Sequence, residues 1–141
     1  MLTGMAIRAR STIPGCVRSV PRTRAFVDAV LGPDHPGRET ARLLASELVT
    51  NAVLHSESRR PSGTITVTIM DVPGGIRVEV ADEGSEFSVP VVKDDPLALD
   101  GRGLLLVQAL ADDWGYRCDR AGTTVWFQVA VLEPPWLPWL D

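Results

Sequence analysis

Two alternating runs, TITVTIM at 64–70 and IRVEVAD at 76–82, stand on either side of the turn VPGG at 72–75. In the first, Ile65, Val67 and Ile69 alternate with Thr64, Thr66 and Thr68; in the second, Ile76, Val78 and Val80 alternate with Arg77 and Glu79. A period of two sends successive side chains to opposite faces, so both runs read as half-buried strands joined in an antiparallel hairpin. A hairpin with one apolar face needs a second layer to cover it.

Helical spacing upstream supplies that layer. Ser19 and Pro21 mark a helix start, Phe26, Val27, Val30 and Leu31 recur at helical intervals, and Gly32 ends the run. After the loop GPDHPG, a second helix is predicted from about Arg38 to His55, and two stripes run along it. Ala45, Leu48, Val49, Ala52 and Val53 follow core spacing, while Glu47, Thr50, Asn51, Leu54 and His55 repeat the same spacing on another face.

Residues 83–100 hold prolines and acids without a period, and a connection of about 18 residues is longer than usual, which favours a functional lid over a plain linker. GRGLLLVQALADDWG predicts a third helix from about Gly103 to Asp112, with Leu104, Leu105, Val107 and Leu110 apolar. TTVWFQVAV adds a strand with Val125, Phe127, Val129 and Val131 alternating, and a weaker first strand is expected near residues 3–13. The expected fold is of the α+β class: a two-layer α/β sandwich with helices on one face of a mixed, largely antiparallel sheet. The expected division is an N-terminal segment at 1–19, one domain at 20–131 with its lid at about 83–100, and a Pro/Trp-rich tail at 132–141.

At 141 residues, with 45% hydrophobic and 23% charged residues, the chain suits one globular domain able to bury a core without metal or disulfide support. A net charge of −4 and a pI near 5.1 argue against direct nucleic-acid binding, which needs clustered Lys and Arg. Cys16 and Cys118 lack any CxxC or ligand set, and no secretory signal or apolar run of membrane-spanning length is present, so a reduced, cytoplasmic setting is expected.

Three stretches carry candidate chemistry. In SELVTNAVLH, Glu47 and Asn51 lie four residues apart and converge on one helix face. A carboxylate beside an amide oxygen suits a hydrated Mg²⁺ and a proton acceptor, and it equally suits an exposed amphipathic face. In VADEG, Asp82 ends a strand beside Gly84, where a carboxylate can accept a hydrogen bond from an exocyclic amine; a simple turn has the same look. In DGRG, Gly101 and Gly103 precede a helix whose N-terminal N–H groups favour phosphate, with a glycine hinge as the alternative. GTTVWF offers the hydroxyls of Thr123 and Thr124 at a strand start.

In this order, SELVTNAVLH, VADEG, GRGLLLVQALAD and GTTVWF resemble the GHKL ATPases, the group of histidine kinases, gyrase, heat-shock protein 90 and MutL. Within that group the chain is similar to short anti-sigma factor serine kinases and their actinobacterial relatives, over about residues 20–131. The resemblance implies a Bergerat-type ATP-binding fold, with ATP and Mg²⁺ as cofactors. It implies Glu47 as general base, Asn51 as Mg²⁺ ligand, Asp82 as the adenine-reading acid with Gly84 beside it, Gly101 and Gly103 framing the phosphates, and Thr123 near the adenine. Arg102, between those glycines, is a candidate for a phosphate or a partner protein. The implied partners are a sigma factor and a STAS-type anti-anti-sigma antagonist whose serine is phosphorylated, with the kinase acting as a homodimer and no membrane involved. Where many members carry Asp-x-Gly-x-Gly, this chain reads Asp82-Glu83-Gly84-Ser85-Glu86, without the second glycine. A nucleotide-binding or vestigial partner-switch module without kinase turnover is therefore the alternative. A sensor histidine kinase fragment fits less well, because only about 20 residues precede the first domain helix and His35 lies in a Pro/Gly loop.

Overall fold

A computed structural model of the protein describes residues 4–55, 63–82, 103–120 and 122–131. In chain order its elements are β1 (Ala6–Pro14), α1 (Ser19–Leu31), α2 (Arg38–His55), β2 (Thr64–Val72), β3 (Gly75–Asp82), α3 (Gly103–Leu110), β4 (Asp113–Asp119) and β5 (Gly122–Ala130). The strands form one sheet in the order β1-β2-β3-β5-β4. Every pairing in it is antiparallel, so where a mixed sheet was expected the described strands contain no parallel pair.

The hairpin is built as its alternation requires. Ile65, Val67 and Ile69 of β2 and Ile76, Val78 and Val80 of β3 are buried, and the connection is Pro73 followed by Gly74 with φ of 77°. Proline presets its own φ and glycine accepts the positive one, so the turn closes without strain. β5 pairs with β3 on the far side and adds Phe127 and Val129 to the same buried face.

Onto this face α2 presents Ala41, Leu44, Ala45, Leu48, Val49, Ala52 and Val53, all buried. The alanines keep the helix close to the sheet, while each fully buried Leu or Val contributes roughly 1.5–3 kcal/mol. Val27 and Leu31 of α1 and Val107 of α3 complete the layer. α1 begins where the sequence predicts, but Ser19 is not a cap: its side chain is buried and its hydroxyl donates to the Pro14 carbonyl, tying the helix to the end of β1. On the outer side Asp28 of α1 receives Arg38 at 3.0 Å and Arg42 at 3.3 Å from α2. The hydrogen bond from Arg38 is the main reason its carboxyl is held below the usual value of 3.8.

α3 stops at Leu110, short of the expected Asp112. Asp112 instead accepts the Ala130 N–H at 2.6 Å, and Asp113 opens β4 with its carboxylate on the Trp114 N–H at 2.9 Å. On the sheet face that carries no helix among the described residues, the Arg77 guanidinium lies 3.9 Å from the Trp126 ring centroid and pairs with Glu79 at 3.0 Å. Among the described residues no helix is long and apolar enough to cross a membrane.

Phe127 is 0% exposed at the centre of this core, whereas Ile7 on β1 is 55% exposed. In urea denaturation, Phe127→Ala should lower stability by about 3–5 kcal/mol. Ile7→Ala should stay within about 0.5 kcal/mol. Equal losses would show that the core is not where the packing puts it.

Candidate functional site

The polar stripe of α2 is an outcome of how the helix docks. Each residue advances about 100° around the axis, so burying Leu48, Val49, Ala52 and Val53 carries Glu47, Thr50 and Asn51 to the flank of the contact. All three are half-buried there, and Leu54 beyond them is exposed. Thr50 donates its hydroxyl to the Ser46 carbonyl at 2.8 Å, a bond internal to the helix. The Asn51 side chain is different: its Oδ1 is buried and has no hydrogen-bond partner among the described residues. Such an acceptor carries a desolvation cost of about 1–3 kcal/mol unless something meets it. A hard cation or a donor on a ligand would meet it.

The second part of the site comes from strand register. Asp82 at the end of β3 stands opposite Thr123 of β5 and Ile65 of β2, and Thr123 in turn stands opposite Cys118 of β4. Residues directly opposite in an antiparallel pair share a face, and Asp82 has the parity of Ile76, Val78 and Val80, the helix-covered side. The buried face of the sheet is thus apolar along its length and ends in one row that runs Ile65, Asp82, Thr123, Cys118. Within the row the Cys118 sulfur is 3.7 Å from the Thr123 hydroxyl oxygen. Asp82 and Thr123, far apart in the chain, become immediate neighbours.

Gly103 is the first residue of α3. Gly84, Gly101 and Arg102, the 83–100 segment and the 132–141 tail lie outside the described residues. Among the described residues no cluster of three or more His, Cys, Asp or Glu side chains is placed to hold a metal by itself. The sequence reading missed Cys118 as a neighbour of Thr123. A signal exists in the alternation Trp114, Tyr116, Cys118 of β4, which aligns with Phe127, Val125, Thr123 once the antiparallel pairing of β4 with β5 is recognised.

With this geometry in hand, the likenesses to known proteins fall on the same elements. The profile of the histidine kinase-like ATPase domain family matches residues 13–129, from the end of β1 to the end of β5. The chain is 28% identical over 117 residues to the anti-sigma F factor of Geobacillus stearothermophilus, covering 77% of this chain and 80% of that protein. It is 29% identical over 94 residues to the serine-protein kinase RsbW of Oceanobacillus iheyensis, which covers 59% of this chain and 60% of that one. Among solved structures, a blue-light activated histidine kinase of Erythrobacter litoralis superposes with a TM-score of 0.53 at 26% identity, over 80% of this chain and 41% of the longer kinase. The α+β sandwich, the order of its motifs and a match across most of the sequence agree: the chain belongs to the histidine kinase-like ATPase domain family, in its GHKL type.

Proposed function

We propose that the protein is an ATP-binding serine kinase of the anti-sigma factor type, acting on an anti-anti-sigma antagonist and thereby controlling a sigma factor by partner switching. The observation that carries the reading is the buried, unmet Oδ1 of Asn51, one helical turn from the half-buried Glu47. Likeness to the anti-sigma F factor and to the serine-protein kinase RsbW supports the same direction.

The residues suit the chemistry. Asp82 would accept a hydrogen bond from the adenine amine, with Thr123 offering a hydroxyl beside it. Asn51 Oδ1 would be the protein oxygen on Mg²⁺, and the remaining positions would fall to water and phosphate oxygens, as is usual for that ion. Bound magnesium would supply charge neutralisation across the phosphates. A serine hydroxyl of the antagonist would attack the terminal phosphorus of ATP, Glu47 would take its proton, and ADP would leave with the bridging oxygen. Positioning and electrostatics then provide most of the acceleration. Gly84, Gly101, Gly103 and Arg102 are proposed to line the phosphate path, and a homodimer in the cytoplasm is the proposed assembly. The altered stretch Asp82-Glu83-Gly84-Ser85-Glu86 favours a second reading, a nucleotide-binding partner-switch module without turnover.

Calorimetric titration with ATP, with and without Mg²⁺, tests the site. Wild-type protein should bind with magnesium dependence, and Asp82→Ala should lose about tenfold or more in affinity. Glu47→Gln should bind ATP within a few-fold of wild type while phosphotransfer to a cognate antagonist serine falls by roughly 10²–10⁴. Binding without transfer in the wild type would select the second reading, and absence of binding at millimolar ATP by folded protein would remove both.

Asn51→Ala separates stability from binding. Removing an unmet buried acceptor recovers part of a penalty of about 1–3 kcal/mol, so the melting temperature of the nucleotide-free variant should equal or exceed that of wild type. The same variant should lose the magnesium dependence of ATP binding. A fall in ligand-free stability of about 2 kcal/mol or more would mean that Oδ1 has a structural partner.

A further inference from the structure

The loop between α1 and α2 contains a histidine that the proposed chemistry does not use. His35 is half-buried, its N–H donates to the Gly32 carbonyl at 3.3 Å, and its carbonyl accepts the Arg38 N–H at 3.1 Å. Its ring faces the start of α2: Nδ1 accepts the Gly37 N–H at 3.0 Å. Gly37 is the residue whose carbonyl receives the first helical bond, from Ala41 N–H at 2.9 Å. A Cβ on Gly37 would lie 3.3 Å from His35 Cε1 and 3.5 Å from Ile76 Cδ1, so ring, glycine and the start of β3 are packed together.

A ring nitrogen that accepts a hydrogen bond is unprotonated, which makes His35 the neutral tautomer with its proton on Nε2. Protonating Nδ1 would set N–H against N–H and put a positive charge at a helix N-terminus, where the dipole disfavours cations. We propose that His35 is a proton-operated latch on the N-terminal turn of α2: neutral, it holds the Gly37 N–H and seats the helix against β3; protonated, it lets that turn go. The latch does not depend on nucleotide binding.

The charged groups around the ring bear on its titration. Arg8 of β1 and Asp71 of β2 form an ion pair at 2.8 Å and act on His35 with opposite signs. Arg38 of α2 is engaged by Asp28 of α1, and Asp34 adjoins His35 in the loop. Burial, then the Arg8 charge, hold the imidazole below its ordinary value of 6.5, against the weaker pull of Asp71. The unfolded chain therefore takes up the proton first as pH falls. The stabilisation from neutral His35 is full above 6.5 and is lost as pH drops from there through the lower folded value, levelling off beneath it. Asp28 titrates below 3.8 and leaves this window alone.

Thermal melts between about pH 7.5 and pH 5.5, in a His55→Gln background so that one histidine titrates, test the latch. With His35 in place, the melting temperature should fall by about 3–6 °C across the window. His35→Asn keeps an acceptor at the Nδ1 position without a titrating group, so its profile should be flat at the upper level; His35→Ala should be flat at the lower one. In ¹⁵N–¹H spectra of the wild type, the Gly37 amide should shift with the same midpoint as the His35 ring, below 6.5. A ring that titrates at or above 6.5, a Gly37 amide that ignores it, or a His35→Asn profile parallel to the parent would each overturn the proposal.

Discussion

The seating of α2 across β2, β3 and β5 is the contact on which the other features depend. It buries Leu44, Leu48, Val49 and Val53 with three alanines. At roughly 1.5–3 kcal/mol for each large side chain, this burial outweighs the cost of one unmet amide oxygen several times over. The helix therefore cannot rotate to relieve Asn51. A turn of about 100° would satisfy the polar stripe with water and expose the apolar one. Glu47 and Asn51 are held half-buried at the edge of the layer because the residues beside them have nowhere else to go.

The sheet makes the complementary half of the site through register alone. Slipping β3 by one residue against β5 would send Asp82 to the opposite face and leave Glu79 in the core. Several bonds away from the site prevent this. The two-residue turn at Pro73 and Gly74 sets β2 against β3, Val131 N–H reaches back to the Gly74 carbonyl at 2.8 Å, and Asp112 holds Ala130. On the helix-free face Trp126 lies over Gly115, where a Cβ would come within 2.8 Å of the indole, and Arg77 stacks on the ring. A glycine, an indole and a guanidinium on one face thus fix which residues stand at the end of the other.

Most of the layers were legible in the sequence because they rest on local periodicity. The alternation in β2 and β3, the apolar stripe of α2 and Glu47, Thr50 and Asn51 beside it appear in space where the spacing puts them. The limits of α3 and β4 were not legible, because Asp112 and Asp113 read equally well as the last turn of a helix. Their carboxylates are committed to Ala130 and Trp114, and the Ala130 partner is a tertiary one that no window of sequence displays. The same holds for the meeting of Asp82 with Thr123 and of Thr123 with Cys118, which depends on pairing between distant strands. Asn51 stood out as a polar residue at helical spacing from Glu47, but the unmet state of its oxygen depends on what packs around it.

That unmet oxygen also bears on the choice between a kinase and a silent binding module. The row of Asp82 and Thr123 belongs to the sheet, whereas Glu47 and Asn51 belong to α2, so either set can be lost without the other. A module relieved of phosphoryl transfer would still need the row, but it would gain stability from almost any small apolar residue at position 51. Substitutions of that kind are common and mostly neutral to function when no chemistry depends on the site. The departure from the usual glycine pattern follows Asp82 in the sequence, while α2 keeps both the Glu47 carboxylate and the Asn51 amide. Asn51 Oδ1, buried and without a partner among the described residues, is an acceptor whose desolvation cost of about 1–3 kcal/mol a bound cation or donor would offset.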